Sequence, residues 1–116
     1  MTNNRYDLII NKGATFSKEI RYKDENEALI NLTGYTARMH IRETIDSSTT
    51  IVTLTTENGG ITLGGVAGTI ILTISAADTA AITQNTGVYD LEIISGGGLV
   101  TRLLEGEVQF TDNVTR

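Results

Sequence analysis

The chain has 116 residues, a formal charge of −5 at pH 7, no cysteine and no tryptophan. The length predicts a single domain over residues 1–116 with a modest core. The missing cysteines exclude disulfides and thiolate chemistry, and the acidic balance argues against nucleic-acid and polybasic membrane binding. We see no bilayer-spanning run and no signal segment at the start, which predicts a protein that folds in a cytoplasm.

The first part of the chain predicts short strands joined by polar turns. Residues 5–11 read as a first strand, and residues 15–22 alternate between apolar and polar side chains. Lys18 shares the apolar face of that second strand, which predicts an edge position or a side chain that reaches out to water. Residues 23–28 form a charged hairpin tip, and residues 28–32 are a short apolar return.

Residues 31–43, NLTGYTARMHIRE, alternate more cleanly than any other stretch. One face of the predicted strand is apolar and holds Tyr35, Ala37, Met39 and Ile41. The opposite face is polar and holds Thr36, Arg38, His40 and Arg42. Because strand side chains alternate between two faces, the first set predicts a core face and the second an outer face.

Three more strands follow in the middle of the chain, at residues 51–55, 61–63 and 69–75. The first two flank Asn58-Gly59, which is a strong turn signal. The third follows the glycine-rich turn GGVAG and places Ile70, Leu72 and Ile74 on one face.

The last part of the chain predicts one short helix and two strands. The helix lies near residues 76–82, with Ser75 as its N-terminal cap and Asp78 at the capping-box position. Residues 87–94 form a strand with Tyr89, Leu91 and Ile93 facing inward. The SGGG segment forms a hairpin tip, and residues 99–110 form a long final strand. Gly106 predicts a bulge or bend within this final strand.

This makes seven or eight short strands, with turn signals about every ten residues, which is typical of an all-β sandwich or a small barrel. Four hairpin-like turns and the absence of proline favour an antiparallel β-sandwich. Apolar residues on mixed faces, such as Ile71, Ile94 and Leu103, together with the small core, predict self-association.

The sequence offers no catalytic or metal-binding constellation. His40 is the one histidine and has no nearby histidine or cysteine, whereas zinc needs several converging ligands. The acidic run at residues 24–27 lacks the spaced pattern of a calcium loop. No nucleophile elbow or phosphate-binding loop is present. We therefore expect no enzyme activity, no metal and no cofactor.

Two pairs of acids, Asp90 with Glu92 and Glu105 with Glu107, are separated by two residues. Such spacing places both members on one strand face through pleat geometry alone, so it is weak support for glycoside hydrolysis. Asp90 and Glu92 also suggest a structural role for the basic strip Arg38, His40 and Arg42. If the two strands are neighbours, the strip forms in-sheet ion pairs; alternatively, it is a subunit-contact face.

Four stretches carry a family resemblance: YDLIINKGATFSKEIRYKD, INLTGYTARMHIRE, LTTENGGITLGGVAGTIILTISAADTAAI and GVYDLEIISGGGLVTRLLEGEVQFTDNVT. In order and spacing they resemble small immunoglobulin-like β-sandwich proteins encoded among the virion structural genes of tailed bacteriophages and prophages. The resemblance covers nearly the whole chain and includes no catalytic motif.

The resemblance implies a non-enzymatic virion protein that assembles with tail, neck or capsid subunits. It also implies an accessory tail, baseplate, fibre-attachment or capsid-decoration role and a homo-oligomer on the particle, after synthesis in the host cytoplasm. The alternative is a carbohydrate-binding module for attachment to the host surface. Sugar sites usually need stacking aromatic residues, and the chain has no tryptophan and four tyrosines.

Overall fold

A computed structural model describes residues 4–24 and 26–112, and these residues form nine strands arranged in two sheets. The strands are β1 Asn4–Arg5, β2 Leu8–Asn11, β3 Phe16–Arg21, β4 Thr36–Arg42, β5 Val52–Thr55, β6 Ile61–Leu63, β7 Thr69–Ile74, β8 Thr86–Ile94 and β9 Val100–Thr111. A 3-10 helix, Gly65–Ala67, and the helix α1, Ala76–Ala80, complete the structure. Within the described residues, no helix is long and apolar enough to cross a membrane.

The larger sheet has the order β1-β9-β8-β4-β5, with β2 also paired to β9, and the smaller has the order β3-β7-β6. The prediction of an all-β fold is confirmed. The prediction that the strands are all antiparallel is wrong, because β1 and β2 run parallel to β9. This pairing joins the two ends of the chain, where no short turn connects the strands and imposes an antiparallel direction.

The core lies between the two sheets and is built from alternate residues of their strands. The predicted inner faces of β4, β7 and β8 are confirmed. Their buried residues are Ala37, Met39, Ile41, Ile70, Leu72, Ile74, Tyr89, Leu91 and Ile93. Tyr35 precedes β4 and is only partly buried against this core. Burial of branched aliphatic side chains therefore stabilises the packing of the sheets.

Helix α1 begins as predicted, because the Ser75 hydroxyl accepts a hydrogen bond from the Asp78 backbone N–H at 3.2 Å. The helix ends at Ala80 and is shorter than the predicted 76–82. Buried Thr79 fixes the helix to the β2–β3 turn, since its hydroxyl donates to the Ala14 carbonyl at 2.8 Å and accepts from the Gly13 N–H at 3.1 Å. The 3-10 helix was not predicted.

The bulge in β9 lies at Leu103 and not at Gly106, where the sequence predicted a bulge or a bend. Leu91 of β8 is opposite Leu104 and Glu92 is opposite Arg102, which leaves Leu103 as the extra residue. The bulge buries two consecutive leucines, because Leu103 is 3% exposed and Leu104 is 8% exposed. Leu103 consequently offers no surface for self-association.

Gly106 serves a different purpose, which is the close approach of two backbones. A Cβ at this position would lie 2.8 Å from the carbonyl carbon of Tyr6 and 2.9 Å from Asp7 Oδ1. Tyr6 and Asp7 form the corner between β1 and β2, which the sequence predicted as one continuous strand. The glycine thus lets this corner lie directly against β9.

The turn at Asn58-Gly59 is confirmed, but it connects β5 of the larger sheet to β6 of the smaller one. The GGVAG and SGGG turns are confirmed as hairpin tips, since β6–β7 and β8–β9 are antiparallel pairs. Residues 28–32 form no strand; a single bridge joins Lys23 to Leu29. Glu25, in the predicted hairpin tip, lies outside the described residues.

The edge position predicted from Lys18 is confirmed. Strand β3 is an outer strand of the smaller sheet, and Lys18 is half-buried within it. The Lys18 ammonium lies 4.8 Å from the centroid of the Tyr6 ring, which belongs to the β1–β2 corner of the larger sheet. This cation–π contact links the two sheets along one side.

Candidate functional site

An open depression of about 680 Å³ lies across the outer face of the larger sheet. Its described lining comes from β4, β8 and β9, with one residue each from β1 and the β4–β5 loop. The lining residues are Arg5, Arg38, His40, Arg42, Ile45, Val88, Tyr89, Asp90, Glu92, Arg102, Glu105, Gly106 and Glu107. All three residues of the predicted basic strip are therefore present in it.

Strands β4 and β8 are antiparallel neighbours, so the condition for in-sheet ion pairs is met. Arg38 is opposite Glu92, and its Nε donates a hydrogen bond to Glu92 Oε1 at 2.8 Å. The in-sheet pairing is thus confirmed for Arg38. Because the Arg38 side chain is half exposed, we expect the pair to contribute at most about 1 kcal/mol to stability.

The β9 side of the depression contains two further ion pairs. Arg102 Nε lies 3.5 Å from Asp90 Oδ2, and Arg5 Nη2 donates to Glu107 Oε1 at 2.9 Å. Asp7 is 3.4 Å from the same Arg5 nitrogen. These pairs cross from β8 to β9 and from β9 to β1, so they follow the strand order of the sheet.

Arg42 differs from the other three arginines of the depression. Its cross-strand neighbour is Val88, which carries no charge. Nη1 donates to the Ser47 carbonyl at 2.9 Å, and Nη2 contacts His40 Nδ1 at 3.3 Å. Among the residues that the structure describes, no carboxylate lies within ion-pair distance of Arg42. The basic strip is therefore divided: Arg38 pairs within the sheet and Arg42 does not.

The Arg42–His40 contact also determines the tautomer of the imidazole. A guanidinium can only donate, so Nδ1 of His40 must accept and the neutral ring carries its proton on Nε2. His40 lies opposite Asp90 on β8 and opposite Thr53 on β5. The two β4 side chains thus present hydrogen-bond donors to the depression from one strand face.

The depression differs in charge from the rest of the molecule. Four of the nine Lys and Arg residues line it, as do four of the fourteen Asp and Glu residues. With neutral His40 its formal charge is zero, so the whole net charge of −5 lies elsewhere on the chain. An anionic group that approaches this face therefore meets a lining with no net formal charge.

Below the depression, the Tyr89 side chain reaches across β9 to the β1–β2 corner. Its hydroxyl donates a hydrogen bond to the Tyr6 carbonyl at 2.5 Å. Burial raises the pKa of Tyr89 to about 12, and the negative charge of Asp7 adds to this effect. At neutral pH the phenol is protonated, and its role is to hold the corner.

The arrangement suits binding better than acid–base chemistry, because Asp90, Glu92 and Glu107 each face an arginine. Within residues 4–24 and 26–112, no three acidic, histidine or cysteine side chains come together as a metal-binding group.

Sequence reasoning missed Arg5, Arg102, Ile45 and Val88 as parts of this face. The bulge at Leu103 interrupts the alternation of residues 99–110. Without knowledge of this bulge, the sequence could not place Arg102 on the same outer face as the depression. Arg5 required knowledge of the parallel pairing between the chain ends. The chain matches no protein-family model and no curated protein.

Proposed function

We propose that the chain is a non-enzymatic structural protein of a tailed-bacteriophage virion, built on an immunoglobulin-like sandwich. In this role it assembles with tail, neck or capsid subunits and forms homo-oligomers on the particle. It needs no cofactor, nucleic acid or membrane. It is made in the host cytoplasm and ends in the virion.

The strand order is the observation that carries the proposal. An immunoglobulin variable-type domain has strands G, F, C and C′ in one sheet and B, E and D in the other. The order β9-β8-β4-β5 facing β3-β7-β6 follows that layout when the strands are lettered along the chain. Together with the sequence resemblance over nearly the whole chain, this layout supports a virion module of that class.

The depression supports a contact role at the face that carries Arg38, His40 and Arg42. It is open and electrically neutral within an acidic chain, so a neighbouring subunit can approach it without charge repulsion. Many copies on a symmetric particle would multiply a weak contact through avidity. A sugar site normally offers exposed aromatic rings, whereas the aromatic residue among the described lining, Tyr89, is buried.

Mass spectrometry of purified particles tests the proposal. Particles from a host strain that carries the gene should contain the chain, with a copy number that is a multiple of the local particle symmetry. Immunogold labelling should then place it on the tail, neck or capsid. A chain that stays in the lysate while particles lack it would contradict the proposal.

A charge reversal at one residue tests the contact face. Arg42→Glu should reduce incorporation into particles, because it places a negative charge where the partner binds. Arg38→Glu lies on the same face but opposite Glu92, so it should remove the in-sheet pair and reduce incorporation less than Arg42→Glu does. Equal incorporation of both variants and the wild type would leave only an in-sheet role for the strip.

A further inference from the structure

We propose that the Arg42 end of the depression is a binding site for a monocarboxylate that carries an adjacent apolar group. The site consists of the Arg42 guanidinium, the Nε2–H of His40, and the apolar side chains of Ile45 and Val88. The carboxylate belongs to a neighbouring virion subunit, and this source rests on the proposed function. The site chemistry itself does not.

The Arg42 guanidinium is held in place and still has donors to offer. Of its five N–H groups, one donates to Ser47 O and one to His40 Nδ1. The Ser47 carbonyl is itself fixed, because residues 44–47 form a turn in which Ser47 N donates to Thr44 O at 3.1 Å. A half-buried arginine held in this way loses little side-chain entropy when it binds a carboxylate.

The neighbouring arginines differ from Arg42 because each of them has a carboxylate partner within the described chain. Arg5, Arg38 and Arg102 each have a carboxylate within 3.5 Å. On β8, the residue opposite Arg38 is Glu92, whereas the residue opposite Arg42 is Val88. An external carboxylate would occupy the position that Glu92 fills in the Arg38 pair.

Two apolar side chains determine what accompanies the carboxylate. Ile45 is 85% exposed on the β4–β5 loop, and Val88 lies half-buried beside Arg42. An apolar group next to the carboxylate would cover both and remove their surface from water.

The surrounding charge favours a monoanion over a dianion. Asp90 and Glu107 also line the depression; beside them a sulfate would add two negative charges, and a phosphate would add more than one. A carboxylate adds one and matches the planar fork of the guanidinium.

The test uses N-acetyl-leucine as the probe, followed by amide chemical shifts in two-dimensional NMR of the full chain. We expect saturable shifts around Arg42, Ile45 and Val88, with an affinity in the millimolar range. N-acetyl-leucinamide, which lacks the carboxylate, should cause none of these shifts. Arg42→Gln should weaken binding about tenfold or more, because a charge-assisted pair is lost.

Arg38→Gln is the matched control, since it removes an arginine from the same strand face and should change the affinity less than about twofold. Val88→Glu is a second variant that leaves Arg42 intact but supplies an internal carboxylate, and it should abolish probe binding. This variant keeps the proposal testable if Arg42→Gln fails to fold.

Several results would overturn the site. They are the absence of saturable shifts, equal binding of the acid and the amide, equal losses in Arg38→Gln and Arg42→Gln, or tighter binding of inorganic phosphate than of the probe. If the probe binds as expected but particles lack the chain, the proposed function fails and the site stands.

Discussion

The two faces of strand β4 differ in how uniform their side-chain environments are. On the inner face, Ala37, Met39 and Ile41 are all buried, as their alternation alone predicts. On the outer face, Arg38 and Arg42 are the same residue type four positions apart, yet one pairs with Glu92 and the other contacts Ser47 and His40.

The alternation of residue types along a strand determines burial, whereas the cross-strand neighbour determines what an exposed charged side chain contacts. Every inner position of β4 contacts the same apolar core, so all the apolar side chains that alternate onto this face are buried. Each outer position meets one particular residue of β8, and that residue is Glu92 for Arg38 and Val88 for Arg42. The substitutions below test this contrast between the two faces.

The largest effect is expected on the inner face. Ile41→Ala removes a fully buried side chain and should lower the free energy of unfolding by about 2–5 kcal/mol, measured by urea denaturation. Ile45→Ala is the matched control, since the same side chain is mostly exposed there and the change should stay within about 0.5 kcal/mol. Similar losses in both variants would show that burial does not separate these positions.

The second-largest loss of stability is expected where the β1–β2 corner, next to Arg5, lies against Gly106 of β9. Gly106→Ala places a Cβ against the Tyr6 carbonyl and should cost about 1–3 kcal/mol, because backbone rather than a flexible side chain must move. Gly97→Ala is a suitable control: the nearest atom to its Cβ would be Ser95 Oγ at 3.9 Å. If Gly106→Ala were as stable as Gly97→Ala, the close approach would not constrain the fold.

A smaller effect is expected at Tyr89, an inner residue whose hydroxyl reaches the same corner. Its folded pKa of about 12 lies above the unfolded value near 10, so its stabilising contribution is complete below pH 10 and is lost as the pH rises toward 12. Tyr89→Phe should lose about 1 kcal/mol at neutral pH and show a shallower decline above pH 10. Urea denaturation across this pH range measures it, and parallel curves for the two proteins would refute the linkage.

The smallest effect is expected on the outer face itself. Arg38→Gln should cost about 0.2–1 kcal/mol and less at high salt, because the Arg38 side chain of the pair is half exposed to solvent. A double-mutant cycle with Glu92→Gln isolates the interaction. A coupling energy that is large and independent of salt would show that this pair contributes to stability as a buried one does.

The predictions that held rest on short-range physics. The cap of α1 needs only Ser75 and the next three residues, and the β6–β7 and β8–β9 hairpins need only glycine-rich turns between alternating runs. The strand bounds at β6 and the inner faces of β4, β7 and β8 follow from the same local patterns.

The predictions that failed depend on distant partners. The bulge was placed at Gly106 because glycine marks many bulges, whereas the extra residue is Leu103, whose burial beside Leu104 is visible only against β8. Gly106 is needed instead because the β1–β2 corner at Tyr6, a hundred residues earlier in the chain, lies directly against it. The turn at Asn58-Gly59 was predicted correctly, but turn chemistry cannot specify that it leads from one sheet to the other.

Local patterns in the sequence predicted that this protein is built of short strands, which sides of β4, β7 and β8 are buried, and where most turns lie. These properties follow from periodicity and backbone preference within a few residues. Only the tertiary structure decided that the chain ends pair in parallel, that Arg38 meets a carboxylate and that Arg42 does not. Those outcomes depend on register between strands separated by about fifty to a hundred residues, where a shift of one position changes every partner.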